Sequence, residues 1–464
     1  MDIENKAILT RGWRRFTYME PSIFLLFFNY GMTETIFSDM IMYRTCKTYI
    51  SNKNSCDLLH TNSSSQEALD IDKIVQPHAS YIILCDSLLD GIIPAALILF
   101  LGPWSDKFGR KPLLIVGYLG PALHYFMVSI LNLWDVNPWL FLLTTIPSSL
   151  CGGGAGVMLA SFCFISDIIS SDKRTWHLAC LEGAITSGLV IGTFIGPLIF
   201  KQFGYLILYA ISFIIACIAF LYVTFYVPET IQNETNEKWG NPFDLKLVKE
   251  LFVTTTKKRP GLNRWVLWSC ISILAIFVII ADGNAQINYL FANIRLGWDS
   301  VKFSTYHSIS IFLSVVGMFL ILKLMKNYLG FSDVQNALMG CLSGFIAAII
   351  KAFTTKPWHL YVVSITGSLS GIISPTVRSI LSTSAPSEDI GKIFSIITFL
   401  ETLLPLGGVT LYTVIYSNYM PPIYPLPAYL LSAGLFFIMI LLVILIDWRM
   451  IKYPSAYHQP IQED

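Results

Sequence analysis

The sequence predicts an all-α protein that crosses a lipid bilayer about twelve times, and three observations predict it. Charge is scarce: of 464 residues, 54% are apolar and only 13% charged, against roughly 25% charged in soluble proteins. That is too little charge to cover the surface of a soluble chain of this length. A bilayer core takes roughly 20 apolar residues as a helix. Runs of that size fall at 18–41, 79–101, 112–131, 139–165, 176–200, 205–227, 264–293, 303–322, 333–353, 358–382, 391–416 and 424–446. Glycine and proline recur inside them, which suits membrane helices better than soluble ones. With 31 basic and 30 acidic side chains, the net charge points to no nucleic-acid partner and no acidic one.

The first run carries Asn29, Glu34 and Asp39 and is too long and too polar for a cleaved signal peptide. The loop 42–78 that follows is polar and holds Cys46 and Cys56 with nine residues between them. They are either a disulfide or two free thiols, and a position outside the cytosol favours the bridge. Asn62-Ser63-Ser64 in the same loop is a glycosylation sequon, with Asn62 as the acceptor. The other seven cysteines lie in apolar runs and read as packing residues. Gly152, Gly153, Gly154 and Gly156 resemble a nucleotide loop, but inside a membrane run they predict close helix packing. The segment 228–263 is a linker whose stretch NPFDLKLVKELF has helical apolar spacing and is expected along the membrane surface. Its sequon at Asn233 is expected to stay bare. With both termini in the cytosol, most Lys and Arg fall on the cytosolic side, which is the orientation basic loops prefer.

Ionisable residues interrupt the runs. A charge at mid-bilayer costs roughly 2.5–3.5 kcal/mol on insertion scales, yet Glu34, Asp86, Asp90, Glu182, Asp282, Arg378 and Glu401 all sit inside apolar helices. They are expected to face a bundle interior or a wet cavity. At roughly 1.5 Å of rise per residue, Glu182 and Arg378 fall in the cytosolic half, Arg378 just after an expected break at Pro375. Glu401 and Asp90 fall near the middle, and Asp282, Glu34 and Asp86 in the outer half. Asp86 and Asp90 share one helix face. Burial favours the neutral form of a carboxyl, while a nearby guanidinium favours the charged one. An anion that takes over the arginine leaves an acid free to bind a proton, so each ligand promotes the other. On this reading Glu182, Asp282, Asp90 and Glu401 couple protons, and Arg378, Asp86 and Glu34 meet a small anionic substrate. No ATP-binding motif is present, so a proton gradient is the expected driving force, with no cofactor and no metal. The histidines show no metal-ligand or catalytic spacing, which argues against an enzyme. A membrane receptor that binds a ligand without moving it is the alternative.

The densest polar knot is Gly102-x-x-x-Asp106-x-x-Gly109-Arg110-Lys111, between the second and third runs. Its glycines permit a sharp turn, Asp106 suits a helix start, and Arg110 can pair with an acid at another helix end such as Asp167. That combination reads as a gate on the cytosolic face.

The knot resembles the signature loop of the major facilitator superfamily, whose fold is two six-helix halves. The equivalent loop in the second half keeps Lys323, Lys326, Gly330 and Asp333. More closely, the chain resembles solute carrier family 46, the proton-coupled folate transporter family. The residues that carry this are EPSIFLLFF (20–28), GPWSDKFGRKPLL (102–114), SFCFISDIISSDKRT (161–175), LACLE (178–182), GWDS (297–300) and ISPTVRSILS (373–382). The resemblance implies an N-terminal half at 1–227, a C-terminal half at 264–446 and a cytosolic tail at 447–464. It also implies a proton symporter of small organic anions that works by alternating access, as a monomer, in the plasma or an endolysosomal membrane. Glu182 and Arg378 match the family's proton- and substrate-linked residues, and Asp106, Arg110 and Asp167 match its gating charges. Asp282 stands where the folate transporter has a histidine, and Glu34, Asp90 and Glu401 have no acidic counterpart there. Gly297 replaces a cysteine of that transporter, which leaves Cys46–Cys56 as the expected bridge. These departures imply a relative of the folate transporter.

Overall fold

The computed structural model describes residues 17–50, 56, 66–231, 241–256, 264–298, 300–327, 330–384, 389–418 and 424–452. Among these the regular structure is helical throughout, with no strand. Helix α1 (Glu20–Tyr49) opens with Pro21 in its first turn beside Glu20, where proline loses no hydrogen bond and an acid meets the positive end of the helix. Helices α2 (Gln66–Phe108) and α3 (Arg110–Leu131) follow. The expected outer loop 42–78 is therefore shorter than its polarity suggests. In water the stretch QEALDIDKIVQ is rich in good helix formers, so α2 starts well before the apolar run. Cys46 and Cys56 form a disulfide, with Cα atoms 5.9 Å apart. Asn62 and Asn233 lie outside the described residues.

The fourth run is split into α4 (Leu142–Leu150) and α5 (Gly153–Ile168). Gly152 and Gly153 take φ of 89° and 56° at the junction, so this glycine cluster serves a turn as well as close packing. Helix α6 (Ser171–Tyr226) is two helical stretches joined at a kink at Gly204, with φ 77° and ψ −176°. Helix α7 (Leu245–Thr256) is the amphipathic segment of the linker. It buries Leu247 and Leu251 and leaves Leu245 exposed. Then come α8 (Arg264–Leu296), α9 (Ser300–Asn327), α10 (Asp333–Ala352), α11 (Pro357–Thr366), α12 (Ile373–Ser384), α13 (Ile390–Asn418) and α14 (Pro427–Lys452). Helix α10 starts at a capping box in which Ser332 and Gln335 satisfy each other's backbone N–H groups. The break expected at Pro375 lies upstream, in a 3-10 turn at Ser368–Ile372. Pro375 sits in the first turn of α12, where its missing N–H has no partner to lose.

Ten helical stretches among the described residues are long and apolar enough to cross a membrane. One of them contains the Gly204 bend, and α1 is a further helix of spanning length. Together they make the twelve spans the sequence predicts.

The chain forms two compact units. One comprises Met1–Ser161 with Ala184–Pro242, the other Phe162–Gly183 with Phe243–Asp464. In the first unit, Gly188, Gly192 and Gly196 of α6 form a stripe against the backbone of α1 at Phe24, Phe28 and Met32. A side chain at any of the three would collide with main-chain atoms, so only glycine permits this approach. Met40, Ile82, Tyr125, Phe141 and Tyr209 lie in the core of that unit. The second unit has an aromatic core that includes Phe291, Trp298, Tyr306, Tyr412 and Tyr429.

Candidate functional site

Arg378 lies on α12 with only 3% of its side chain exposed. A guanidinium buried to that degree needs partners, and α13 and the start of α6 supply them. Nη2 donates to both carboxylate oxygens of Glu401 at 2.7 Å. Nε lies 3.6 Å from Oε1 of Glu182 and donates to Oγ of Ser374 at 3.3 Å. Ser374 in turn donates to Oε1 of Glu182 at 2.6 Å. The guanidinium carbon sits 3.9 Å from the ring centre of Phe162, a cation–π contact on its flat face. Nη1 is buried and makes no hydrogen bond among the described residues. One cation is therefore shared by two acids, with one N–H edge still uncommitted. The acids are the less buried members, with 18% and 14% of their side chains exposed.

All of these residues belong to the second unit. The sequence singled out Glu182, Arg378 and Glu401 separately, and the structure brings the three together. Ser374 and Phe162 were missed. Ser374 lies one helical turn before Arg378, and that spacing is the signal that could have found it.

Of the other candidate acids, Asp86, Asp90 and Glu34 belong to the first unit and Asp282 to the second. Asp86 of α2 accepts a hydrogen bond from Thr145 Oγ1 of α4. Asp90, one turn on, is exposed, with Oδ1 3.6 Å from where a Cβ on Gly153 would lie. Glu34 is exposed on α1, and Asp282 is half-buried on α8.

The knot at 102–111 is closed within the first unit. Arg110 Nη2 reaches Asp106 Oδ1 at 2.5 Å, with 1% and 4% of the two side chains exposed, and Nη1 donates to Ser105 Oγ at 2.6 Å. A residue the sequence reading passed over completes it. Glu229, beyond the end of α6, accepts hydrogen bonds from the backbone N–H groups of Arg110 at 2.8 Å and Lys111 at 3.1 Å. It also accepts from Thr230 at 2.9 Å and Ile231 at 3.2 Å. The N-cap of α3 is Gly109, which has no side chain to offer, so Glu229 caps the helix from a distance of 120 residues in sequence. Gly109 has φ of 114°, and a Cβ there would strike the Glu229 carboxylate. Only glycine fits both demands. Gly102 supplies the carbonyl that Ser105 Oγ bonds at 2.8 Å.

Asp167 belongs to the second unit, within electrostatic reach of Arg174. Arg174 closes the end of α5 by donating to the carbonyls of Ser166 at 3.0 Å and Ile169 at 3.2 Å, a cation at a helix C-terminus. Beside it, Asp333 at the start of α10 accepts from Thr175 at 2.7 Å and from Ser379 at 2.8 Å. Among the described residues, no group of three or more His, Cys, Asp or Glu side chains is arranged to hold a metal ion.

A family model described as the Major Facilitator Superfamily matches residues 22–409. Among curated proteins, the chain is similar to the probable peptidoglycan muropeptide transporter SLC46 of Drosophila melanogaster. The two are 28% identical over 96% of this chain and 88% of that one. It is also similar to the proton-coupled folate transporter of Bos taurus, 25% identical over 93% of this chain and 91% of that one. Among solved structures, the human organic anion transporter MFSD10 (TETRAN) superposes with a TM-score of 0.68 at 12% identity, covering 96% of this chain and all of that one. That likeness shows the fold.

Proposed function

The chain belongs to the Major Facilitator Superfamily, and from that premise we propose that it is a proton-coupled symporter of small organic anions working by alternating access. It is a transporter by family and by fold, and not an enzyme. The substrates proposed are folate-like molecules or other anionic metabolites such as muropeptides or cyclic dinucleotides. The relatives' names support the solute class. The observation that carries the proposal is the Arg378 guanidinium shared by Glu182 and Glu401 with Nη1 uncommitted.

The mechanism follows from competition for one cation. With both acids ionised, Arg378 is occupied and holds an incoming anion weakly. A proton on Glu401 or Glu182 removes a competitor, and the guanidinium turns its fork to the substrate. Bound anion in turn disfavours re-ionisation of the acids. When the substrate leaves, the acids reclaim the arginine and shed their proton. Asp90 and Asp282 are proposed as further proton-binding groups, with Asp86 and Glu34 as polar contacts for substrate in the outer half. The knot of Gly102, Asp106, Gly109, Arg110 and Lys111, with Asp167, is proposed as the cytosolic gate. Protons and the anion are the only ligands required, the protein acts as a monomer with both termini cytosolic, and the membrane is the plasma or an endolysosomal one.

Uptake into proteoliposomes with an imposed pH gradient tests this reading. An acidic outside should accelerate entry of an anionic solute from a panel of folate, muropeptide and cyclic dinucleotide. Saturable binding without uptake at any pH would favour a transporter-like receptor.

A further inference from the structure

A second polar cluster lies at the far end of the same unit. Lys351 is in the last turn of α10, half-buried. Its Nζ donates to Oδ1 of Asn288 on α8 at 2.6 Å and lies 4.6 Å from the ring centre of Tyr429 on α14. No carboxylate pairs with it among the described residues. Asn288 Oδ1 also accepts from the Tyr429 hydroxyl at 3.0 Å, so that oxygen is saturated, while the amide Nδ2 donates to nothing described. One turn earlier on α8, Asn284 repeats the pattern. Its Oδ1 accepts from Ser432 at 3.1 Å, and its Nδ2 is likewise uncommitted. The hydroxyls of Ser432 and Tyr412 are 2.8 Å apart. An ammonium has three donors, and Lys351 uses one. The result is a cluster with one amine that no carboxylate pairs, two unused amide donors and no acid among the described residues.

A cation lying half-buried without a counter-ion is costly, and a helix C-terminus offsets only part of that cost. We propose that Lys351, with the amides of Asn288 and Asn284, receives the carboxylate of an organic anion at a site separate from Arg378. The separation follows from α10. Its first residue, Asp333, bonds Ser379, the neighbour of Arg378 in the chain. Lys351 comes eighteen residues later, roughly 27 Å along the axis at about 1.5 Å per residue. A small metabolite cannot span that distance, so the two cations act in succession, Lys351 holding the solute before or after Arg378. This order of events rests on the transport reading above, whereas the site itself does not.

Amine acylation of the full-length protein in detergent micelles, with each lysine followed by mass spectrometry, tests the site. Benzoate should slow acylation of Lys351 in proportion to its concentration, and neutral benzamide should not. Equal acylation with and without benzoate overturns the proposal, and so does a Lys351 that no reagent reaches. In a second measurement, the thermal unfolding midpoint is titrated with benzoate in an Arg378→Gln background, so that the first site does not contribute. The Lys351→Gln protein should bind about tenfold or more weakly, the loss of one hydrogen bond to a charged group, while Lys351→Arg keeps the response. Unchanged binding in Lys351→Gln also overturns it. A failure of pH-driven uptake, with protection of Lys351 intact, would count against the symport mechanism alone.

Discussion

Replacing Glu401 by glutamine separates a competitor from a brace. In the wild type Glu401 takes both of its bonds from Arg378 Nη2 at 2.7 Å. A hydrogen bond to a charged group contributes about 1.5–3 kcal/mol net, and one between neutral partners about 0.5–1.5 kcal/mol. An amide carbonyl retains one contact to the cation but loses the ionic share, so the pair weakens by about 1–1.5 kcal/mol. Two consequences follow with opposite signs. The fold loses that stabilisation, a drop in thermal midpoint of about 2–4 °C per kcal/mol for a unit of this size. Anion binding gains it, because the substrate no longer has to displace a full carboxylate, so Kd should fall by roughly tenfold at neutral pH. The assay is binding of a transported anion to protein in nanodiscs between pH 5 and pH 8. The wild type should tighten as pH falls, and Glu401→Gln should be tight throughout and much flatter. A variant that binds more weakly, with the wild-type pH slope intact, would show that Glu401 only braces the arginine.

Glu182→Gln should leave anion binding largely intact but abolish acid stimulation of uptake in proteoliposomes; unchanged pH dependence would remove Glu182 from the coupling. Arg378→Ala should raise the apparent KM for an anionic substrate far more than for a neutral analogue, and equal losses would point to a purely structural arginine. Glu229→Ala removes the distant cap of α3 and should cost about 1–2 kcal/mol of stability, read as a lower thermal midpoint, with faster hydrogen exchange at the amides of Arg110 and Lys111. Protection of those two amides as in wild type would refute the capping role.

The twelve spans were legible because membrane insertion imposes a length and a composition that any window of the chain displays. The disulfide was legible as the favoured of two readings of Cys46 and Cys56, because a loop outside the cytosol favours a bridge over free thiols. The Arg378 site was half legible. Each of its three charges announces itself by the cost of burying it, but their meeting does not, since Glu182 and Glu401 are separated by more than two hundred residues. Phe162 carries no such cost and leaves no trace, and Ser374 leaves only its spacing of one helical turn from Arg378. Glu229 escaped for another reason. An acid just past the end of an apolar run is ordinary, and nothing local says that its carboxylate reaches the start of α3. Gly109 held half of that information, because a helix whose N-cap is glycine lacks its own capping side chain and must find one elsewhere. Pro375 misled in the opposite way: proline marks a helix's first turn as readily as its interruption, and only the 3-10 turn upstream distinguishes them.

The competition for Arg378 makes one further demand that no structural role would satisfy. If protonation of Glu401 raises anion affinity by roughly tenfold, then anion binding must raise proton affinity by the same factor, because both describe one closed cycle of states. The two halves of that cycle can be measured separately. The first is the change of anion Kd with pH. The second is the uptake of protons when a saturating anion is added to lightly buffered protein, followed with a pH indicator. If the anion displaces the two acids from Arg378, its addition should draw protons from solution in the pH range where anion affinity changes, and the effect should vanish in Glu401→Gln with Glu182→Gln. Equal factors from the two measurements are required if Glu182 and Glu401 are the linked groups. An anion affinity that rises tenfold on acidification while binding takes up no protons in that same pH range would break the cycle. The pH effect would then belong to the solute's own ionisation and not to the shared arginine.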